Sequence, residues 1–168
     1  MRRVPFSVRQ GDEYIAERAA APCFICEIAA GGARRKAHEI VYEDEQVIAF
    51  LSSLPTHYGQ TLVAPKRHVV DVIGGLVLDE YLYLQRIVHA VGRAVEQVVA
   101  PERIYIASFG SHQLNAHVHF HIHPLPSGVP VREQQMASMM LETVGRLELM
   151  QEEWEDLATR LRTAVQVI

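Results

Sequence analysis

The sequence predicts an α+β domain: a mainly antiparallel sheet of five strands, a long central helix and an extra C-terminal helix. Three observations carry this. Short β-rich runs bounded by turn residues recur within 38–52, 60–68, 103–109 and 116–122. Residues 79–99 place apolar side chains at 84, 87, 88, 91, 95 and 98, the spacing of one helical face. Residues 151–168 do the same at 154, 157, 161, 164, 165 and 168.

Taken in order, "DEYIAERAAAP" (12–22) reads as a short Ala-rich helix stopped by Pro22. "HEIVYEDEQVIAFLS" is a hairpin, two β-rich runs around the acidic turn Glu43–Glu45. "QTLVAPKRH" supplies a third strand ending at Pro65. The long helix follows, with Asp79 as its expected N-cap and Pro101 as its stop. "RIYIASF" and "AHVHFHI" are strands four and five, joined by the tight "GSHQLN" connection.

The chain has 168 residues, enough for one domain with a sizeable core, and a net charge of −4. That balance gives no electrostatic case for a nucleic acid polymer as partner. No apolar run reaches the roughly 20 residues of a membrane helix, and the N-terminus meets Gln10, Asp12 and Glu13 before a signal-peptide core forms. A cytoplasmic location is therefore expected. In that compartment Cys23 and Cys26, spaced C-x-x-C, suggest metal or redox chemistry more than a disulfide. Two inert buried thiols are the competing reading.

The densest chemistry lies in "NAHVHFHIHPLP", where His117, His119, His121 and His123 alternate with Val118, Phe120 and Ile122. On a strand, residues i and i+2 share a face about 6.6–7 Å apart, so the histidines form one row and the apolar residues pack behind them. Four imidazoles in an ordinary core would each demand a hydrogen-bond partner. Two chemical readings remain: an H-x-H pair ligating a metal, or one imidazole attacking phosphorus while its neighbours orient it and stabilise charge. Elsewhere, His89 falls off the helical stripe and reads as solvated, His38 heads a strand, and His57 lies in a Pro-flanked turn.

This pattern resembles the histidine triad family, whose signature is His-φ-His-φ-His-φ-φ with φ apolar. The resemblance runs over about residues 22–126: "PCFICEIAAG", the acidic hairpin, "GQTLVAPKRHVVD" and the histidine strand follow in the family's order. It divides the chain into an N-terminal extension (1–21), a family domain (22–126) and a C-terminal helical extension (127–168). It implies a homodimer, a nucleotide cleft on the sheet, and hydrolysis or transfer at an α-phosphate. Nucleoside phosphoramidates and dinucleoside polyphosphates are the two substrate classes. By position, His119 would be the nucleophile, His121 would hydrogen-bond phosphate oxygens, and His117 would orient the site or bind metal. Ser111, His112 and Gln113 fall in the phosphate-contacting connection, and Phe24, Ile25 and Ile28 match the base-contacting positions.

Carried over in the same way, Cys23, Cys26, His68 and His117 would complete a structural Cys₂His₂ zinc site. Four residues depart from the family pattern. Ser52 stands at the ribose-binding acid or amide, Leu114 at a phosphate-loop hydroxyl, Gln60 at the histidine of G-H-T-L-V, and His123 at an apolar position. Ser52 and Leu114 motivate an alternative expectation, a zinc-stabilised nucleotide-binding module with little or no catalysis.

Overall fold

The computed structural model describes residues 1–167. In chain order its elements are β1 (Arg2–Val4), α1 (Val8–Ala20), α2 (Phe24–Ala29), a 3₁₀ turn (Ala33–Ala37), β2 (Ile40–Glu43), β3 (Val47–Leu51), β4 (Thr61–Pro65) and α3 (Leu78–Val99). Then come β5 (Arg103–Ser108), β6 (Phe120–Leu125), a 3₁₀ turn (Val131–Glu133), α4 (Met136–Met139), α5 (Leu141–Val144), β7 (Arg146–Glu148) and α6 (Gln151–Ala164).

The five-stranded antiparallel sheet has the order β2-β3-β4-β6-β5, as the α+β reading expects. Its period-2 alternation sorts side chains into two layers. Val47, Ala49 and Leu51 of β3 meet α3 and α6 through Leu84, Ile87 and Leu157. Ile48 and Phe50 of the same strand, with Leu62 and Ala64 of β4, meet Ile25 and Ile28 of α2. Because both faces are covered, every residue of β3 and β4 is buried. The register pairs Leu62 with His121, which puts the histidine row on the α2 face. Val118, Phe120 and Ile122 turn into the α3 layer, as their alternation requires.

The expected stripe of α3 is buried at Leu84, Ile87, Val88, Val91 and Val95. Its start differs: Val77 is the N-cap, and Glu80 accepts the Val77 N–H at 3.1 Å. Asp79 instead sits in the first turn, where its charge still complements the helix dipole. The N-terminal helix begins at Val8, not near Asp12, because Ser7 and Gln10 form a reciprocal capping box. It ends at Ala20, ahead of Pro22. In α6, Leu157, Ala158 and Leu161 carry the buried face. The expected apolar position Ile168 lies outside the described residues.

The histidine strand starts later than its alternation predicts. Ladder pairing covers Phe120–Leu125, whereas His117 and His119 lie in a stretch held by the Val118 N–H, which donates to the Val69 carbonyl at 2.7 Å. The neighbouring β4 ends at Pro65, which has no N–H to continue a ladder. An unexpected second sheet joins the chain's two ends: β1 pairs with β7, Arg2 opposite Glu148 and Val4 opposite Arg146.

Candidate active site and a neighbouring four-ligand cluster

His119 is almost wholly buried, and its Nδ1–H donates to the His117 carbonyl at 2.7 Å. That bond to its own backbone assigns the proton to Nδ1 and leaves the Nε2 lone pair free. The His121 ring lies 4.9 Å from that of His119, and the Phe24 ring meets His119 edge-on at 6.1 Å. Burial holds both imidazoles neutral. His119 is shifted below the usual histidine range, and His121 is pushed down to about 3 by burial and by the adjacent His119 and His123. Neutral imidazole is the nucleophilic form.

These rings open onto a cleft of about 190 Å³ lined by Phe24, Ser52, Phe109, Met139 and Leu141. Ser52 is on this wall, its Oγ accepting the Leu54 N–H at 3.4 Å. Of the three expected base-contacting residues only Phe24 reaches the cleft. Ile25 and Ile28 have no exposed surface: they face Phe50 and Leu62 as turns of α2 and support Phe24 from beneath.

The phosphate-loop positions divide. His112 and Gln113 line a second cavity of about 180 Å³ across Asn115 and Phe24, beside His68 and His117. Ser111 is exposed and closes its own turn, its Oγ accepting the N–H groups of Gln113 (3.3 Å) and Leu114 (3.2 Å). Gly110 makes the turn possible: its φ is +116°, and a Cβ there would collide with the Asn115 carbonyl. Tyr14, Met139 and Leu141, all outside residues 22–126, line the His119 cleft and carried no motif in the sequence.

Cys23, Cys26, His68 and His117 converge, with one ligand atom from each within 4.8 Å of all the others. Cys23 caps α2 and Cys26 lies within its first turn; His68 follows β4. The His117 Nδ1 is 3.3 Å from Cys23 Sγ, 3.5 Å from Cys26 Sγ and 3.2 Å from His68 Nδ1. On the ring's far side, Nε2–H donates to the Pro65 carbonyl at 2.8 Å, turning the Nδ1 lone pair inward. Burial and the Cys23 sulfur push the Cys26 thiol up to about 11, a cost that a bound cation reverses.

Behind the cleft lies a third group. His57, expected only as a turn residue, is buried with His123, their ring centres 4.9 Å apart. Burial, then nearby Arg3, lowers His57 to about 4; burial, then His57, lowers His123 to about 3. Tyr105 and the hydroxyls of Thr56 and Ser138 complete the surroundings. Both histidines fold as neutral groups and bind protons more readily when unfolded, so stability falls as pH drops from about 6.5 toward about 4. Thermal unfolding followed by circular dichroism should show Tm about 5 °C lower at pH 5 than at pH 7. A His123→Phe variant should lose part of that dependence. A flat Tm across this interval would contradict the buried neutral pair.

The fold and site define an α+β domain that presents a histidine row beside a Cys₂His₂ cluster. A family model described as the HIT domain matches residues 33–127, more than half of the chain. An uncharacterised HIT-like protein of Saccharolobus solfataricus is 32% identical over 64% of this chain and 77% of its own length. A bifunctional adenosine 5′-phosphosulfate phosphorylase/adenylylsulfatase of Arabidopsis thaliana is 34% identical over 60% of this chain and 67% of its own. Among solved structures, a hypothetical histidine triad nucleotide-binding protein of Sulfolobus tokodaii superposes with TM-score 0.66 at 26% identity, covering 85% of this chain and 91% of that one. A zinc-bound histidine triad family protein of Mycobacterium smegmatis shares the fold, with TM-score 0.65 at 24% identity over 85% of this chain and 92% of that one. The chain belongs to the histidine triad (HIT) family.

Proposed function

We propose that this chain is a nucleotide hydrolase or transferase that works at an α-phosphate through a nucleotidyl–His119 intermediate. The observation that carries it is the His119 Nδ1–H bond to the His117 carbonyl, which leaves Nε2 as a neutral nucleophile beside the cleft. His119 Nε2 attacks phosphorus, and the P–N or P–O bond to the leaving group breaks with its electron pair on that group, an amine taking up a proton from solvent as it departs. Water then attacks the same phosphorus, the P–N bond to His119 breaks, and nucleoside monophosphate leaves. His121, 4.9 Å away ring to ring, donates to the phosphate oxygens as charge develops. Phe24 and Ser52 hold the nucleoside, and Gln113 and His112 hold phosphate or leaving group. The similarity to a plant enzyme named for adenosine 5′-phosphosulfate chemistry supports the nucleotide class.

Zinc is the metal this reading assigns to Cys23, Cys26, His68 and His117. A tetrahedral zinc with ordinary bond lengths gives S···N edges of about 3.5 Å and N···N edges of about 3.3 Å, close to the 3.2–3.5 Å separations here. With four protein ligands the metal is structural, and it holds α2 against the histidine strand. The family domain is taken as residues 22–126, with extensions at 1–21 and 127–168. Free thiols suit a reducing, cytoplasmic setting. Among the described residues no helix is long and apolar enough to cross a membrane.

The experiment is turnover of adenosine 5′-phosphoramidate and of diadenosine tetraphosphate, with an alkaline quench to preserve P–N bonds and mass analysis of the His119 peptide. A nucleotidyl adduct and release of AMP are expected. Wild type no faster than His119→Ala on either substrate would leave the rival reading, a binding module, which the absence of a hydroxyl at Leu114 favours.

A homodimer through β5 is part of the same proposal. β5 is an edge strand, and Ile106 on it is 51% exposed, an apolar edge of the kind that a second strand covers. Size-exclusion chromatography with light scattering should give twice the chain mass for wild type and the single-chain mass for Ile106→Lys. A monomeric wild type would refute the dimer.

A further inference from the structure

The segment after the family domain folds back onto the cleft, and a buried polar cluster fixes it there. Met139 and Leu141, from α4 and α5, share the wall with His119 and His121. Within α4, Ser138 has no exposed surface and sits between two partners. Its hydroxyl donates to the Gln135 carbonyl at 2.6 Å and lies 3.3 Å from His123 Nε2. A serine has one hydroxyl proton, so His123 Nε2–H is the donor toward Ser138, and His123 Nδ1 keeps its lone pair. Thr56 Oγ1 lies 3.5 Å from that nitrogen, while the Thr56 hydroxyl donates its single proton to Gln60 Oε1 at 3.2 Å. Thr56 is fixed in turn by its N–H, which donates to Gln60 Oε1 at 2.9 Å.

Tyr105 completes the grip. Its ring stacks on His123 at 6.3 Å with an 18° tilt, and its hydroxyl accepts the Gln135 N–H at 3.4 Å. Gln135 itself has φ +56°, a conformation that costs energy outside glycine and persists only where its surroundings impose it. Downstream, the Leu147 N–H donates to the Pro55 carbonyl at 2.7 Å, pinning the other end of the segment. Gln60 and His123, two of the departures from the family pattern, thus meet in one cluster whose far side is Ser138.

The cleft's volume of about 190 Å³ is below the roughly 300 Å³ at which sites for small organic ligands begin. Any side chain on its wall therefore limits what enters. Met139 and Leu141 are apolar, like Phe24, Phe50 and Leu62 on the same cleft. They suit the flat apolar part of a nucleotide rather than its charged phosphate.

We propose that His123 is a positioning residue which, through Ser138, clasps the 136–141 segment over the cleft, so that Met139 and Leu141 set the size of base the site accepts. This rests on the nucleotide reading above. The test compares binding of AMP with binding of an AMP carrying a benzyl group on the exocyclic amine, by calorimetry, alongside hydrogen exchange read by mass spectrometry. Leu141→Ala is expected to shift the Kd ratio at least fivefold toward the enlarged base. Ser138→Ala is expected to shift it the same way and to speed exchange of the 136–144 amides at least tenfold, with β3 and β4 unchanged. If Ser138→Ala does not fold, His123→Phe keeps the ring beside Tyr105 while losing the bond to Ser138. A ratio within twofold of wild type in every variant would overturn the wall. Exchange that rises equally throughout the chain would overturn the clasp. Wild type failing to bind AMP would count against the nucleotide reading, and the exchange comparison would still decide the clasp.

Discussion

Replacing His119 with alanine is expected to lower AMP release from an adenosine 5′-phosphoramidate by about a thousandfold or more, with KM changed far less. The asymmetry follows from where the ring sits. His119 is buried against Phe24 and tied to its own strand by the His117 carbonyl, so it adds little surface for a ground-state ligand. Its Nε2 is the one nitrogen of the pair whose lone pair is assigned by a backbone bond. On the proposed mechanism, deleting it removes the atom that forms the covalent bond, while Ser52 and the cleft's apolar lining remain. His121→Ala should cost less, about a hundredfold, because it takes away charge stabilisation and leaves the nucleophile. Rapid-quench measurement of both variants separates these roles: the His121 variant should still form the His119 adduct, slowly. Equal losses without an adduct in the His121 variant would mean that the two imidazoles act as a single unit.

What the sequence disclosed depended on how local each signal was. The alternation in 117–123 predicts a histidine face and an apolar face, and the register Leu62–His121 realises it. Where the ladder begins was not legible there, because Pro65 lies on the neighbouring strand. The start of α1 was legible in Ser7 and Gln10, a capping box that an apolar-periodicity reading passes over. The β1–β7 ribbon was not, since three residues such as Arg2–Val4 are too few to show a period. For the metal cluster, C-x-x-C spacing announces two ligands. His68, and His117 as a partner of the thiols, became candidates only through the resemblance, because they approach the thiols by tertiary folding. His57 and His123 are 66 positions apart, and neither has a motif that points to the other. Met139 and Leu141 likewise reach the cleft only by the return of the chain. These nonlocal meetings are where the functional expectations needed correcting or completing.

If zinc fills the Cys23, Cys26, His68 and His117 cluster as proposed, removing it is expected to lower both stability and turnover, through structure rather than through chemistry. Cys23 and Cys26 bracket Phe24 at the start of α2, and His117 supplies both a ring of the four-residue cluster and the carbonyl that orients His119. A metal on these four residues would tie the Phe24 wall of the cleft to His117, whose carbonyl holds the His119 ring. Without it, the two thiols, the His68 ring and the His117 ring crowd together with no common partner. Cys26→Ser should bind well under one zinc per chain and lower Tm by about 10 °C or more. Its turnover should fall by about tenfold, less than that of His119→Ala, since the nucleophile survives. Substituting cobalt provides the complementary readout: a Cys₂His₂ site should give the absorption bands of tetrahedral cobalt, absent in Cys26→Ser. Cobalt protein should keep wild-type turnover, because a closed four-ligand metal has no open position for substrate. Turnover that changes markedly with the identity of the metal would mean that the metal takes part in the reaction, contrary to the structural role argued from its four ligands.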